Sequence, residues 1–487
     1  MKKNIPNNKP AEKMSYYTLL VYMIAGALGA GYFHTRSFLA LDALLFTAVL
    51  VYILRTDRIK LLPVHFFLLI LTLLYWLSAI WAVDVEQALL EAGKISSLLP
   101  LSLLFAGLSR ELRDRIWSAW AWCGTALTLW GLAFGLFREG RLESTLGYAN
   151  SFAVILAAGV AAGWGAYKLS GHKRYWLACV IQIGGLLWTG SRAVLVLAVI
   201  GAVIYVFLNR DAQKVSMLGT MAASVLLAVV LAFAARNGGA AFREIAWDAP
   251  EFALRRIYWS DAFHLWLKHW LLGVGGSGWA VLYPSVYVKY VHQQYLQVAL
   301  DTGVFGALSF IGMIIFSIRA GLRRGKEGWG SMLAIILFCA HLAFDIDLAY
   351  PLVFGLFIML LTGAEAEGGP GQEIPLPRFR AAALALPAVI AIFFFSWLTV
   401  GYTSLANGKS AIARQDWERA ERSLIAAAAQ LPWSHETHYE LAALYSAIAR
   451  SQGDESYMQK ALEEMRTASD MIPENRSYKE MVKQADN

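Results

Sequence analysis

The chain is 487 residues long, 58% hydrophobic and 16% charged, with eighteen tryptophans and a formal net charge of +7. Soluble globular chains are about 45–50% apolar, so the composition excludes a soluble enzyme and points to an integral membrane protein. The positive charge then reads as topology and contact with anionic headgroups, and nothing in the chain resembles a nucleic-acid module.

In chain order, apolar runs of membrane-spanning length are predicted near 15–33, 37–54, 61–83, 95–109, 116–137, 150–168, 175–190, 193–209, 216–235, 296–318, 331–349, 351–364 and 381–402. That is an all-α polytopic architecture of 12 or 13 spans, 351–364 being the shortest. No cleavable signal peptide is expected ahead of them, because the first run is long and has no small-residue cleavage pattern. With a cytoplasmic N-terminus, the inner segments hold 21 Lys and Arg residues. The short outer loops hold five: Arg36, Lys94, Arg138, Arg141 and Arg192. That bias places the long loop 236–295 and the C-terminal tail outside. Cys123, Cys179 and Cys339 all fall in apolar runs, without metal or redox spacing, and read as small core residues.

Within the outer loop, Glu251–Leu272 is predicted as an amphipathic helix. Arg256, Ser260, His264 and Lys268 recur every four residues, opposite Trp259, Phe263, Trp266 and Trp270. Such a helix suits either the lipid–headgroup plane or an ordinary packed surface. The inner linker 364–380, with its Gly-Gly-Pro-Gly run, is expected to be flexible. A membrane domain therefore covers 1–403. From about Ala406 the chain turns charged and Ala-rich, and Ala420, Ala427, Leu431 and Pro432 recur 41 residues later as Ala461, Ala468, Ile472 and Pro473. The tail 404–487 thus looks like tetratricopeptide-type helix pairs, serving as a docking surface for a protein partner or as a cap on the last span.

Several polar residues open onto the predicted outer face. Arg192, in Trp188-Thr189-Gly190-Ser191-Arg192, stands at the mouth of a span, where an arginine either snorkels to the interface or faces a cavity and an anion. Arg141 lies in a loop with Glu143, which is one candidate partner for it. Arg256 is a third outer cation. Three guanidiniums at one surface suit a pyrophosphate, because arginine binds phosphate oxygens bidentately and stays charged. His292, in Val291-His292-Gln293-Gln294-Tyr295, is either inert or a base for an incoming hydroxyl. His341 also faces outward with Asp345 about one helical turn on, and is a rival base or a structural hydrogen-bond partner. No zinc-type spacing or Gly-x-Ser-x-Gly occurs, so neither a metal nor another cofactor is expected.

Taken together, these stretches resemble the O-antigen ligase/polymerase superfamily. The positions are Arg141, Leu146, Gly147 and Asn150; Gly190, Ser191 and Arg192; Arg256, Ala262, Gly273, Gly275, Gly276 and Gly278; and His292, Tyr295, Leu296, Gln297, Gly303 and Gly306. His341 and Asp345 ahead of Pro351 complete the likeness, and Gln293 departs from it, family members usually having Asn after the histidine. The resemblance implies a metal-independent GT-C-type glycosyltransferase of the bacterial cell membrane. It would move a glycan from a polyprenyl (undecaprenyl) diphosphate carrier to a glycan, lipid or protein acceptor at the outer face. By the same carry-over, Arg141, Arg192 and Arg256 hold the diphosphate and His292 activates the acceptor. A surface polysaccharide polymerase or protein O-oligosaccharyltransferase fits the same residues. A lipid-linked glycan transporter fits less well, since mid-span charges are few and no repeated halves are visible.

Overall fold

The structure is a computed structural model that describes residues 9–208, 250–283, 288–369 and 371–486, together with parts of 218–230. Half of the predicted span 216–235 and all of 236–249 lie outside the described residues. The described chain is almost wholly helical, with only two two-stranded sheets. Among the described residues, six helices are long and apolar enough to cross a membrane: Thr35–Arg55, Val85–Ala106, Ala149–Ser170, Gln294–Arg323, Pro351–Gly368 and Arg378–Ala413. Pro63–Ser78, Arg192–Phe207 and Trp329–Leu342 are apolar but shorter. This is an all-α, multi-pass membrane protein.

Packing follows from which helices are apolar all round. Pro351–Gly368 starts on a proline, which needs no backbone donor at that position. It is buried along nearly its whole length, with Leu352, Val353, Leu356, Phe357, Ile358 and Met359 fully enclosed. Around it, helices such as Pro63–Ser78, Gln294–Arg323 and Arg378–Ala413 keep Phe66, Leu73, Phe305, Leu308, Ile390 and Phe393 exposed. Large apolar side chains exposed on several neighbouring helices form the belt that lipid covers.

The segments predicted to lie inside gather at one end. Strand Arg58–Leu61 pairs antiparallel with Gln372–Pro375, Arg58 opposite Pro375. Lys60 donates to the Ala366 carbonyl at 2.7 Å, Arg324 pairs with Glu367 at 2.6 Å, and Glu12 accepts from the Ser109 N–H at 2.6 Å. The strand pairing corrects one expectation. The linker 364–380 is tied down, because its Gly-rich turn leads straight into a strand with a partner.

At the other end the tail meets the membrane helices. Helix Arg378–Ala413 runs without a break through the predicted 403/404 junction. It is followed by Trp417–Gln430, His435–Gln452, Glu455–Met471 and Arg476–Asp486. The repeated positions are equivalent in packing: Ala420, Ala427 and Leu431 are buried, as are Ala461, Ala468 and Ile472. Small residues let the helices close up, and Gly408 sits where any Cβ would fall 2.6 Å from Leu424. Glu86, at the start of Val85–Ser96, receives hydrogen bonds from Tyr402 (3.1 Å), Ser434 (2.7 Å) and the Glu436 N–H (3.1 Å). Just before that helix, the Val83 N–H donates to the Val274 carbonyl at 3.1 Å. Tail and outer loop therefore share an end of the molecule.

Candidate active site

The glycines scattered through 273–306 acquire a physical reason here. Helix Gln294–Arg323 is broken at Gly303, with φ 71° and ψ −168°. Its freed backbone groups pair with the preceding turn. Val274 N–H donates to the Leu300 carbonyl (2.7 Å), Gly275 N–H to that of Asp301 (3.2 Å), and Val304 N–H to that of Trp270 (2.8 Å). A Cβ at Gly303 would lie 2.1 Å from the Leu271 carbonyl oxygen, and one at Gly273 2.5 Å from that of Leu300. Only glycine permits both this approach and the left-handed dihedral. The interlock delivers the turn bearing His292 to the end of the bundle.

At that end three other segments converge on the turn carrying Asp345, a carboxylate only 1% exposed. Tyr148 donates its hydroxyl to Oδ1 at 2.5 Å, and the Asn150 amide donates to Oδ2 at 2.5 Å. Arg255 pairs with Oδ2 at 3.4 Å and also donates to the Phe344 carbonyl. The His292 Nδ1 stands 3.6 Å from Oδ1, just beyond hydrogen-bond length. Catalytic contacts of that kind tighten when substrate binds. Arg141 joins through Asn150, donating to its side-chain oxygen at 2.5 Å, and its Nε donates to the Thr189 carbonyl at 2.8 Å. Burial alone would raise the Asp345 carboxyl, but His292, Arg255, His341 and Tyr148 together hold it well below the usual carboxylate range. It stays an anion, and a buried anion needs this many donors.

Each predicted residue can now be placed. Arg141 is in the cluster. Glu143 pairs with Arg138 at 2.8 Å, so it is not what holds Arg141. Arg192 is half-buried and opens helix Arg192–Leu208 directly after Gly190, whose φ of 59° ends the preceding helix. That puts it three residues from Thr189, where Arg141 is anchored. His341 does not pair with Asp345. Its Nδ1 lies 2.5 Å from Asp347, and it is only 3% exposed. Asp347 also accepts from Ser151 at 2.9 Å. The two acids divide the histidines because the backbone turns after Leu342, so that helical spacing no longer applies between 341 and 345.

The outer helix, Pro250–Lys268, is also corrected. Its exposed arc mixes Arg256, Ser260, His264 and Lys268 with Ile257, Phe263 and Leu267. Trp259 and Trp266 pack inward with Ala262, whereas Phe263 and Trp270 face out. The predicted tryptophan face is thus split in two. Arg256 is exposed, and it is its neighbour Arg255 that reaches the acid. The signal for this was present, since Arg255, Trp259, Ala262 and Trp266 recur at 4, 3 and 4. Tyr148 was the other residue that sequence reasoning passed over, and Asn150, named in the family likeness, was given no role there. Among the described residues no group of His, Cys, Asp or Glu could hold a metal ion.

Residues 177–311 match the family model described as O-antigen ligase. That match, over a little more than a quarter of the chain, supports the likeness to the O-antigen ligase/polymerase superfamily. The match contains Arg192, Arg255 and His292. Arg141, Tyr148, Asn150 and Asp345 lie outside it, so the acid side of the cluster rests on the structure alone. No curated protein matches the chain. The match supports a membrane enzyme of glycan transfer in polysaccharide assembly, ligase- or polymerase-like.

Proposed function

We propose that this O-antigen ligase-like enzyme transfers a glycan from a polyprenyl diphosphate carrier to an acceptor hydroxyl at the outer face of the membrane. His292 is the general base, and Arg141, Arg192 and Arg255 hold the diphosphate. The observation that carries the reading is the gathering of Arg141, Arg255 and His292 around one buried anion, Asp345. The acceptor O–H gives its proton to the imidazole as its oxygen bonds to the anomeric carbon. The bond from that carbon to the diphosphate oxygen breaks, and the diphosphate departs with its charge held by guanidiniums. Asp345 sits beside the imidazolium that forms and offsets its charge. Arg192 supports the anion assignment independently. A cation at a helix start is opposed by the helix dipole, so its own helix gains nothing from it, whereas a phosphate gains from both the guanidinium and the free N–H groups. His341 is too enclosed to meet an acceptor and serves to hold the Asp347 turn.

The test is a purified assay with a defined lipid-linked donor, reading glycosylated acceptor and released polyprenyl diphosphate. His292→Ala is expected to lower turnover by about 10²–10⁴ with donor binding little changed. Full turnover in that variant would remove histidine base catalysis at this position.

A further inference from the structure

His292 has φ 58°, a left-handed conformation that a residue with a side chain adopts only when its surroundings impose it. The backbone is held on either side of it. The carbonyl of His292 accepts from the Trp259 indole at 3.1 Å, and the Val291 N–H donates to the Gln297 side-chain oxygen at 3.0 Å. The other end of that amide donates to Asp301 at 3.0 Å, one turn further along the helix. Asp301 is fixed from two more directions, by the Tyr75 hydroxyl at 3.1 Å and the Ser277 N–H at 3.3 Å. A carboxylate buried in a membrane-embedded bundle is costly unless something requires it. Glutamine is also the residue that can accept from a backbone N–H and donate to a carboxylate at once.

We propose that Asp301 is a positioning residue for His292. Through the Gln297 amide and the Val291 N–H it fixes the left-handed turn that aims the imidazole at the Asp345 cluster. A cavity of about 30 Å³, lined in part by Tyr75, Gln293, Gln297 and Asp301, lies against this network. It leaves the turn room to shift once the amide lets go. The inference rests on the reading of His292 as the base.

The experiment compares Gln297→Met, Tyr75→Phe and Asp301→Leu in the full-length enzyme with a lipid-linked donor. Gln297→Met keeps the volume and loses both hydrogen bonds. Misplacement of a reacting group by an ångström costs up to about 100-fold, so its kcat should fall about 10- to 100-fold with donor KM unchanged. Tyr75→Phe removes one anchor and should show a smaller loss. Asp301→Leu removes the acceptor shared by Gln297, Tyr75 and Ser277 and should lower kcat about as much as Gln297→Met, and wild-type kcat in it would exclude Asp301 as the positioning residue. A readout independent of turnover is carbethoxylation of His292 by diethylpyrocarbonate, followed by mass spectrometry, which should accelerate in Gln297→Met, Tyr75→Phe and Asp301→Leu. Wild-type kcat and modification rate in both Gln297→Met and Tyr75→Phe would overturn the proposal. So would losses that appear in donor KM alone. If instead His292→Ala is fully active while the modification rates still change, the failure belongs to the base assignment and not to the network.

Discussion

Arg255 and Arg256 are adjacent, chemically identical and oppositely placed, which makes them a sharp test of the site. The Arg255 guanidinium reaches Asp345 at 3.4 Å and the Phe344 carbonyl, whereas the Arg256 side chain is exposed. Hydrogen bonds to charged groups contribute about 1.5–3 kcal/mol, and stranding a buried charge costs more. Asp345 keeps Tyr148, Asn150 and His292 when Arg255 is removed, so the lower range applies. Arg255→Ala should therefore reduce kcat/KM for transfer by at least about 10- to 150-fold, the equivalent of that energy at about 1.4 kcal/mol per tenfold. Loss of diphosphate binding adds to it. Arg256→Ala, a surface change, should stay within about 0.5 kcal/mol of wild type, roughly twofold. The assay is transfer from a defined lipid-linked donor by purified protein in nanodiscs, each variant first checked for monodisperse elution. Equal damage from the two variants, or greater damage from Arg256→Ala, would refute the placement of Arg255 at Asp345.

Three further outcomes are expected. A cysteine at exposed Gln452 should react with an impermeant maleimide in intact cells, because the tail shares an end with the outer loop; labelling only after lysis would reverse the orientation. His435 lies between Asp84 (3.4 Å) and Glu86 (3.5 Å), with Glu436 and Lys289 close by and the Tyr478 hydroxyl on its Nδ1. Burial lowers its pKa, but Asp84, Glu86 and Glu436 outweigh that and raise it. Its stabilisation is complete below the unfolded value of about 6.5 and is lost as pH rises through the higher folded value. Proteolysis of the tail in proteoliposomes should therefore speed up as pH rises past the raised folded value, and His435→Asn should abolish that dependence. A wild-type rate that does not change with pH would exclude the mechanism. Gly303→Ala should lose folded protein, since a Cβ there meets backbone at 2.1 Å and the dihedral adds about 1–3 kcal/mol of strain. Gly330→Ala, with open space around it, should be silent, and recovery of both variants at equal yield would count against the interlock.

Much of the membrane fold was legible because lipid imposes a coarse rule that sequence displays openly: long apolar runs, with cations gathered at one side. Arg58, Arg113, Arg324 and the 372–375 strand meet at one end as the charge bias requires. The linker was misjudged because composition reports a Gly-Gly-Pro-Gly turn but not a strand partner more than 300 residues away in sequence. The outer helix was misjudged for a related reason. A repeat of four finds a stripe, but the face that packs is set by what lies opposite, here Trp279, Val291 and Leu300.

The candidate site shows where such reading stops. His292, Arg141 and Arg192 stand out individually because each is a polar residue at the mouth of an apolar run. Asp345 also stands out, yet its partners do not, since Tyr148, Asn150 and Arg255 reach it across 90 to 197 residues of chain. Spacing along one helix suggested His341 for Asp345, and the turn after Leu342 gave His341 to Asp347 instead. What decided the pairing was burial. A carboxylate withdrawn from water needs several donors fixed in three dimensions, and at Asp345 they come from the 148–150 turn, the outer helix and the His292 turn, which the Gly303 break carries to the same end of the bundle.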